Sequence, residues 1–157
     1  MVIVTVYFIR IMNTLEIDAV LEKIPGFLGA FPFNELPQRP DEDFSVVINT
    51  DSDRDPGAHW VALVKKDAHF YFFDSYGREI NDELFTDQFK TAVFGYIKGQ
   101  YTWNSDWFQQ LTSNACGYYC VYFIRSMQSN NFKSVTSIFG ENLKKNDEFV
   151  TNYVKNL

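Results

Sequence analysis

Four kinds of side chain that together can catalyse acyl transfer follow one another along this sequence. They are the imidazole of His59, the carboxylate of Asp74, an amide at Gln109 or Gln110, and the thiol of Cys116. An imidazole can act as a base, a carboxylate can orient it, an amide can stabilise an oxyanion, and a thiolate is a strong nucleophile. Residues of these types, in this order, predict a cysteine hydrolase.

The thiol of Cys116 stands near the start of an apolar segment, residues 115–127, which predicts a buried helix. A free cysteine is most often a small buried hydrophobe. In the first turn of a helix, however, the helix dipole favours the thiolate, which is the reactive form. Asn114 is the predicted N-cap, and Gly117 leaves space beside the sulfur. Cys120 lies one turn deeper, where we expect an inert buried thiol.

The sequence also predicts how His59 and Asp74 meet. Residues 60–65 and 69–74 are typical of two strands, joined as a hairpin by a turn at residues 66–68. That pairing brings residues near His59 opposite residues near Asp74, where a carboxylate can accept from the imidazole Nδ1–H. Taken separately, His59 is typical of a surface histidine and Asp74 of a turn cap, so only the pair indicates chemistry.

The remaining segments place strands mostly in the middle of the chain, with helices at its ends and in the connections. That order predicts an α+β fold, in which a mixed central β-sheet packs against helices and the nucleophile lies at the N-terminus of a buried helix. The further predicted elements are a helix that opens at Asn13 and Glu16 and runs to Ile24, strands at residues 44–49 and 101–103, and helices at residues 81–97 and 142–154.

Composition limits what the chain can bind. Its 157 residues predict a single domain, 1–157, and its net charge of −6 argues against a nucleic-acid-binding surface. The two cysteines lie four apart on one predicted helix, so a disulfide would be strained, and with two histidines they make a poor zinc site. Residues 1–11 are apolar, interrupted by Arg10 and too short for a membrane helix. They predict a packing arm, a buried strand or an extension.

Taken together, these residues resemble the adenovirus proteases (adenains) and the clan that includes the ubiquitin-like-protein (SUMO) proteases, with its papain-like fold. The similar pieces are residues 57–60, 73–77 and 109–120, with shorter matches at residues 27–29 and 47–50. The resemblance implies that His59 is the general base, Asp74 its orienting acid and Cys116 the nucleophile. Adenains have glutamate in place of Asp74, but the shorter carboxylate is usual elsewhere in the clan.

The resemblance also implies an oxyanion hole made by the Cys116 backbone N–H and a glutamine. Gln109 lies seven residues before Cys116 and Ser113 three before it, as in adenain-like members. The six-residue spacing of the ubiquitin-like-protein proteases selects Gln110 instead. We favour Gln109. Trp60 and Gly117 are the expected substrate contacts.

The implied activity is that of a cysteine endopeptidase that forms a thioester and needs no metal or other cofactor. The expected substrates are capsid or polyprotein precursors, cleaved at small residues or glycine during virion maturation, and the expected source is a virus, virophage or transposon. We expect a monomer, not bound to membrane, in the host cytoplasm or nucleus, and in the virion if it is viral. Adenains can be activated by DNA and by a disulfide-linked peptide. This chain is acidic and has no spare cysteine in its middle loops, which argues against both activators.

Other functions stay open. A deubiquitinase-like or SUMO-type isopeptidase would need an extended surface to dock a globular modifier, and 157 residues leave little room for one. An acetyltransferase of the same triad order would need a basic inositol-phosphate pocket, which the sequence does not indicate. A protease-derived binding module would have no reason to keep all four site residues. Selective thiol labelling of Cys116 over Cys120 would indicate an enzyme, and equally slow labelling of both would indicate a binder.

Overall fold

The protein folds as a sheet with helices on both of its faces. The computed structural model describes residues 9–55 and 57–157. Most of the predicted N-terminal arm, residues 1–8, lies outside the described residues. Within them, the chain forms a mixed five-stranded sheet, and the predicted α+β class is confirmed. No helix of this described part combines the length and apolar character needed to cross a membrane.

The elements occur in the following order. They are α1 (Thr14–Leu21), β1 (Phe27–Pro32), a 3-10 helix (Phe33–Glu35), β2 (Phe44–Asn49), β3 (Trp60–Lys66), β4 (His69–Phe73), α2 (Asp87–Phe94), β5 (Tyr101–Trp103), α3 (Cys116–Met127), α4 (Phe132–Thr136) and α5 (Leu143–Lys155).

The strands lie in the same order in the sheet as in the chain. β2, β3 and β4 pair antiparallel, whereas β1 pairs parallel with β2 at one edge and β5 pairs parallel with β4 at the other. Successive residues of a strand face opposite sides of its sheet. Val47 and Ala62 therefore pack with α3, and Val46 and Val61 pack on the opposite face with α2. The sheet is the middle one of three layers.

The hairpin of β3 and β4 determines where the site lies. Lys66 pairs with His69, and the two residues between them, Asp67 and Ala68, have φ of 52° and 64°. Positive φ at both central residues is what a type I′ turn requires, and this turn matches the twist of the strands. Because His59 precedes β3 and Asp74 follows β4, both residues lie at the end of the hairpin opposite the turn.

Helix α3 lies at the centre of the core that covers one face of the sheet. It begins at Cys116, and nine of its 12 residues are buried. The prediction that Asn114 is its N-cap is wrong, because Ala115 occupies that position with φ −83° and ψ −2°. The preceding turn is instead stabilised by the hydroxyl of Ser113, which accepts from the Ala115 N–H at 3.1 Å.

Other elements differ from prediction in length or partner. The helix predicted over residues 81–97 is confined to α2, since Thr86 caps its start by accepting from the Phe89 N–H at 3.2 Å. Asn13 caps α1 as predicted, but the Glu16 carboxylate pairs with Arg10 rather than completing a capping box. β1 and α4 have no counterpart among the predicted elements.

Candidate active site

His59 and Asp74 meet in the interior at the end of the hairpin. The imidazole Nε2 lies 2.7 Å from Asp74 Oδ1, and the two residues are 8% and 0% exposed. The prediction that Nδ1 faces the carboxylate is wrong, because Nε2 is the ring nitrogen that lies against Asp74. With Nε2–H donating to Asp74, Nδ1 is left as the ring nitrogen available to a nucleophile.

The sulfur of Cys116 completes this cluster from α3. It lies beside the imidazole of His59, so that each group shifts the pKa of the other, and it accepts from the Trp60 backbone N–H at 3.5 Å. Although Cys116 is only 5% exposed, it lines a cavity of about 300 Å³ that His59 also lines. The structure therefore brings together the three side chains that the sequence predicts as a catalytic set, although residues 59, 74 and 116 are far apart in the chain.

The protonation of this cluster follows from its contacts. Burial alone would lower the pKa of His59, but the hydrogen bond to Asp74 and the proximity of Cys116, together with the charges of both, raise it to about 9. Burial alone would raise the pKa of the Cys116 thiol, yet the proximity and charge of His59, with the Trp60 and Gly117 N–H groups, hold it below its usual value. The two groups thus shift each other toward the thiolate and the imidazolium.

The second thiol lies in a different environment. Cys120 is 1% exposed, and burial, together with the nearby charges of Cys116 and Asp74, raises the pKa of its thiol well above the usual value. A protonated and enclosed thiol is a poor nucleophile. The two cysteines of one helix therefore differ in both charge and access.

Asp74 is held by groups that no sequence pattern indicates. Its Oδ1 accepts from the Tyr76 N–H at 3.0 Å, and its Oδ2 accepts from Arg78 Nε at 2.5 Å. Asn104 bonds to both backbone groups of Asp74, accepting at 3.0 Å and donating at 2.5 Å. Burial would raise the pKa of the Asp74 carboxyl, but the hydrogen bonds and charges of His59 and Arg78 lower it. The carboxylate is fixed in position and stays ionised.

An aromatic stack covers the imidazole. The ring of Tyr76 lies parallel to that of His59, with centroids 4.9 Å apart and an interplanar angle of 18°. Trp107 packs edge-on against Tyr76 at 5.3 Å, and the Tyr76 hydroxyl donates to the Leu111 carbonyl at 3.2 Å. Tyr76 thus fixes the plane of the imidazole. It could be found in the sequence only as part of the turn that follows Asp74.

The two predicted substrate contacts lie in different places. Trp60 is 6% exposed, lines the cavity and donates its indole N–H to the Met12 carbonyl at 2.9 Å. Gly117 is buried and packs against both Met12 and Trp60. A Cβ added there would lie 3.0 Å from Met12 Cβ and 3.4 Å from Trp60 Cδ1. The space that glycine leaves is therefore occupied by Met12, and Gly117 is not among the described residues that line the cavity.

The two candidate oxyanion glutamines also differ. Gln109 is fully buried, accepts from the Ser75 hydroxyl at 2.5 Å and donates to the Ser113 carbonyl at 2.8 Å, within the loop that leads to Cys116. The amide of Gln110 donates instead to Asp147 of α5 at 3.1 Å. Neither is among the described residues that line the cavity. Only Gln109 belongs to the hydrogen-bond network of the loop that leads to Cys116.

Comparison with known proteins finds similarity in structure but not in sequence. No family model matches the chain, and no curated protein sequence matches it either. Among solved structures, it is similar to the crystal structure of the selenomethionine ASFV pS273R protease, with a TM-score of 0.56 and 17% identity. The fold is similar to that of a protease. The match covers 90% of this chain and 66% of the other, so this chain spans less than two thirds of that protein's length.

The site contains groups suited to nucleophilic chemistry. Among residues 9–55 and 57–157, no group of three or more His, Cys, Asp and Glu side chains is placed to hold a metal. What the cluster offers is a polarised thiol at the first residue of a helix, an imidazole that can donate and accept a proton, and a cavity that admits a reacting group. This combination is suited to acyl transfer.

Proposed function

We propose that the protein is a cysteine peptidase in which Cys116 attacks a peptide carbonyl. One observation carries the proposal: a buried, hydrogen-bonded Asp74–His59 pair lies beside Cys116, and His59 and Cys116 line the same cavity. The similarity to the fold of a protease supports it. A structural cysteine would not need an imidazolium partner, and a buried structural histidine would not need a pKa near 9.

The proposed cycle has two halves. The thiolate of Cys116 forms a bond to the carbonyl carbon, and the C–N bond breaks as the imidazolium of His59 gives its Nδ1 proton to the leaving amine. His59, now neutral, removes a proton from water, which attacks the thioester and releases the acid and the thiolate. Asp74 keeps the Nε2–H oriented throughout and stabilises the imidazolium.

Negative charge on the carbonyl oxygen needs hydrogen-bond donors near the start of α3. The backbone N–H of Cys116 is one candidate, since N–H groups in the first turn of a helix have no partner within the helix. We assign the second donor to the side chain of Gln109, because its amide lies in the loop that leads to Cys116. Its Nε2–H must then leave the Ser113 carbonyl when substrate binds. Gln110 would have to leave a buried carboxylate, which costs more.

For the substrate we propose an extended polypeptide with a small residue, such as glycine, at the scissile bond. The cavity is small and bounded by the rings of Trp60 and Tyr76, which leaves little space for a large side chain beside the sulfur. Cleavage of capsid or polyprotein precursors during virion maturation would suit such a compact enzyme. The similarity to the fold of the ASFV protease is consistent with that setting.

Paired cysteine variants test this function. Cys116→Ala and Cys120→Ser change buried sulfurs one turn apart on the same helix, so each controls for the other. Products from a degenerate peptide library would be identified by mass spectrometry. We expect hydrolysis by the wild type and by Cys120→Ser, and none by Cys116→Ala at unchanged thermal stability. Turnover retained in Cys116→Ala would refute the assignment.

A second assay separates the peptidase from the isopeptidase. Ubiquitin and SUMO vinyl-sulfone probes would be compared with short Gly-Gly peptide probes, with labelling of Cys116 located by mass spectrometry. We expect labelling by the peptides alone. Efficient labelling by a globular modifier would replace the endopeptidase proposal with the isopeptidase, and failure of every probe to label Cys116 faster than Cys120 would favour a binding module.

A further inference from the structure

The described part of the N-terminal segment lies against the candidate site. Residues 9–12, here called the N-terminal strap, immediately precede α1. The carbonyl of Met12 accepts the Trp60 indole N–H at 2.9 Å, and Met12 itself is 3% exposed. Ile9 is partly buried and packs against the same core. The strap is therefore part of the folded domain at this point.

The strap also contacts the first turn of the nucleophile helix. A Cβ at Gly117 would lie 3.0 Å from Met12 Cβ, so the backbone of α3 and the strap are in close contact directly after Cys116. Ile11, the residue before Met12 in the strap, is 49% exposed. It lines the same cavity as Cys116 and His59.

Half-exposed isoleucines are common on protein surfaces and usually need no explanation. Ile11 differs because both of its neighbours are fixed. Met12 is held by Trp60, and Arg10 makes two hydrogen bonds to the Glu16 carboxylate, at 2.9 Å and 2.6 Å. An apolar side chain is thus presented to the cavity on a segment that is anchored on both sides.

We propose that the strap forms one wall of the substrate cleft and that Ile11 is a specificity-determining residue, which contacts an apolar side chain of the bound polypeptide. This inference rests on the proposed peptidase function. Burying an apolar substrate side chain against Ile11 removes the surfaces of both from water. The contact lies beside the scissile bond but involves none of the reacting atoms, so it contributes to binding rather than to the chemical step.

The test uses the full chain with Ile11→Ala and Ile11→Asp, and Leu15→Ala and Leu15→Asp as matched controls. Leu15 is also an exposed aliphatic residue, at 79%, but it is not among the described residues that line the cavity. Three readouts are needed: kcat and KM on peptides selected from the library, the rate at which iodoacetamide labels Cys116, and the midpoint of thermal unfolding.

We expect Ile11→Ala to raise KM by about tenfold and to leave kcat unchanged. This is the low end of the effect of removing methylene groups from an apolar pocket, because Ile11 is half exposed. Ile11→Asp should have a larger effect and shift the library preference from apolar to basic side chains at one position. Labelling of Cys116 should keep its rate in both variants, and the Leu15 variants should match the wild type.

Two results would overturn the inference while leaving the peptidase function intact. The first is wild-type KM and an unchanged sequence preference in both Ile11 variants. The second is a fall in Cys116 labelling parallel to the fall in hydrolysis, which would mean that the strap acts on the nucleophile and not on substrate. If the wild type hydrolyses no peptide, the function itself fails and the inference fails with it.

Discussion

Replacement of Asp74 by asparagine tests the electrostatics on which the proposed mechanism depends. Asparagine keeps the shape of the side chain but removes the negative charge that faces the buried imidazole. Among the contacts that raise the pKa of His59 to about 9, the hydrogen bond to Asp74 contributes most. Hydrogen bonds to charged groups are worth roughly 1.5–3 kcal/mol, and one pKa unit is about 1.4 kcal/mol. The pKa of His59 should therefore fall by about 1–2 units.

The same substitution should also affect the ionisation of Cys116. The imidazolium is the main group that holds the pKa of the Cys116 thiol below its usual value. If the imidazolium loses its proton at lower pH, the thiolate becomes scarcer at neutral pH, and hydrolysis loses both its nucleophile and its acid. We expect kcat/KM at pH 7 to fall by about 10²–10⁴-fold, the usual range for a lost acid–base contribution.

The measurement is simple because the chain has only two histidines. NMR titration of the imidazole C–H signals gives the pKa of His59, with His69 as a second signal in the same sample. Asp147→Asn is the matched control, since Asp147 is 1% exposed and accepts from the Tyr119 hydroxyl at 2.7 Å on another element. A His59 pKa that stays near 9 in Asp74→Asn, or that falls equally in Asp147→Asn, would refute the reasoning.

Three further outcomes are expected. In the wild type, kcat/KM should rise with pH as Cys116 ionises, at a pH below the usual thiol range, and should fall above pH 9, where His59 loses its proton. A kcat/KM that only rises, in a single sigmoid through pH 9, would contradict the ion pair. Gln109→Ala should lower kcat by roughly a hundredfold more than Gln110→Ala, and equal losses would leave the oxyanion donor unassigned. Arg78→Gln should unfold at higher pH than the wild type in an acid titration followed by circular dichroism. Because the pKa of Asp74 is lowered in the folded protein, its carboxylate contributes stability that is lost as the pH falls through that lowered pKa. Arg78 is one of the groups that lower the pKa of Asp74. The exposed Arg10→Gln should show no such shift.

The sequence predicts best those elements whose pattern is local. β2 is a short, mostly apolar run and is found at the predicted residues, 44–49. α5 begins directly after Asn142, whose side chain accepts from the Lys145 N–H. The positions of Cys116 and His59 in the fold were also predictable, because a thiol before an apolar helix and a histidine before a strand each mark the start of an element.

What the sequence does not reveal depends on contacts between distant loops. Asn104 bonds to Asp74 from 30 residues away, and no local spacing indicates that pair. β1 is irregular, with a register shift between Phe27 and Ala30, so neither alternation nor a continuous apolar run marks it. Arg78 follows Asp74 by four residues, but as part of a turn rather than a helix, so its ion pair has no periodic signal.

The exposed turn between β3 and β4 has a consequence for how the chain can change in length. Surface turns usually accept insertions and deletions more readily than any other segment. Here the two strands joined by Asp67 and Ala68 lead to His59, directly before β3, and to Asp74, directly after β4. A strand that slips by one residue turns every side chain to the opposite face. One inserted residue that shifted β4 along β3, although far from the cavity, would direct the carboxylate away from the imidazole. The number of residues in this turn therefore matters more for the geometry of the site than which residues they are.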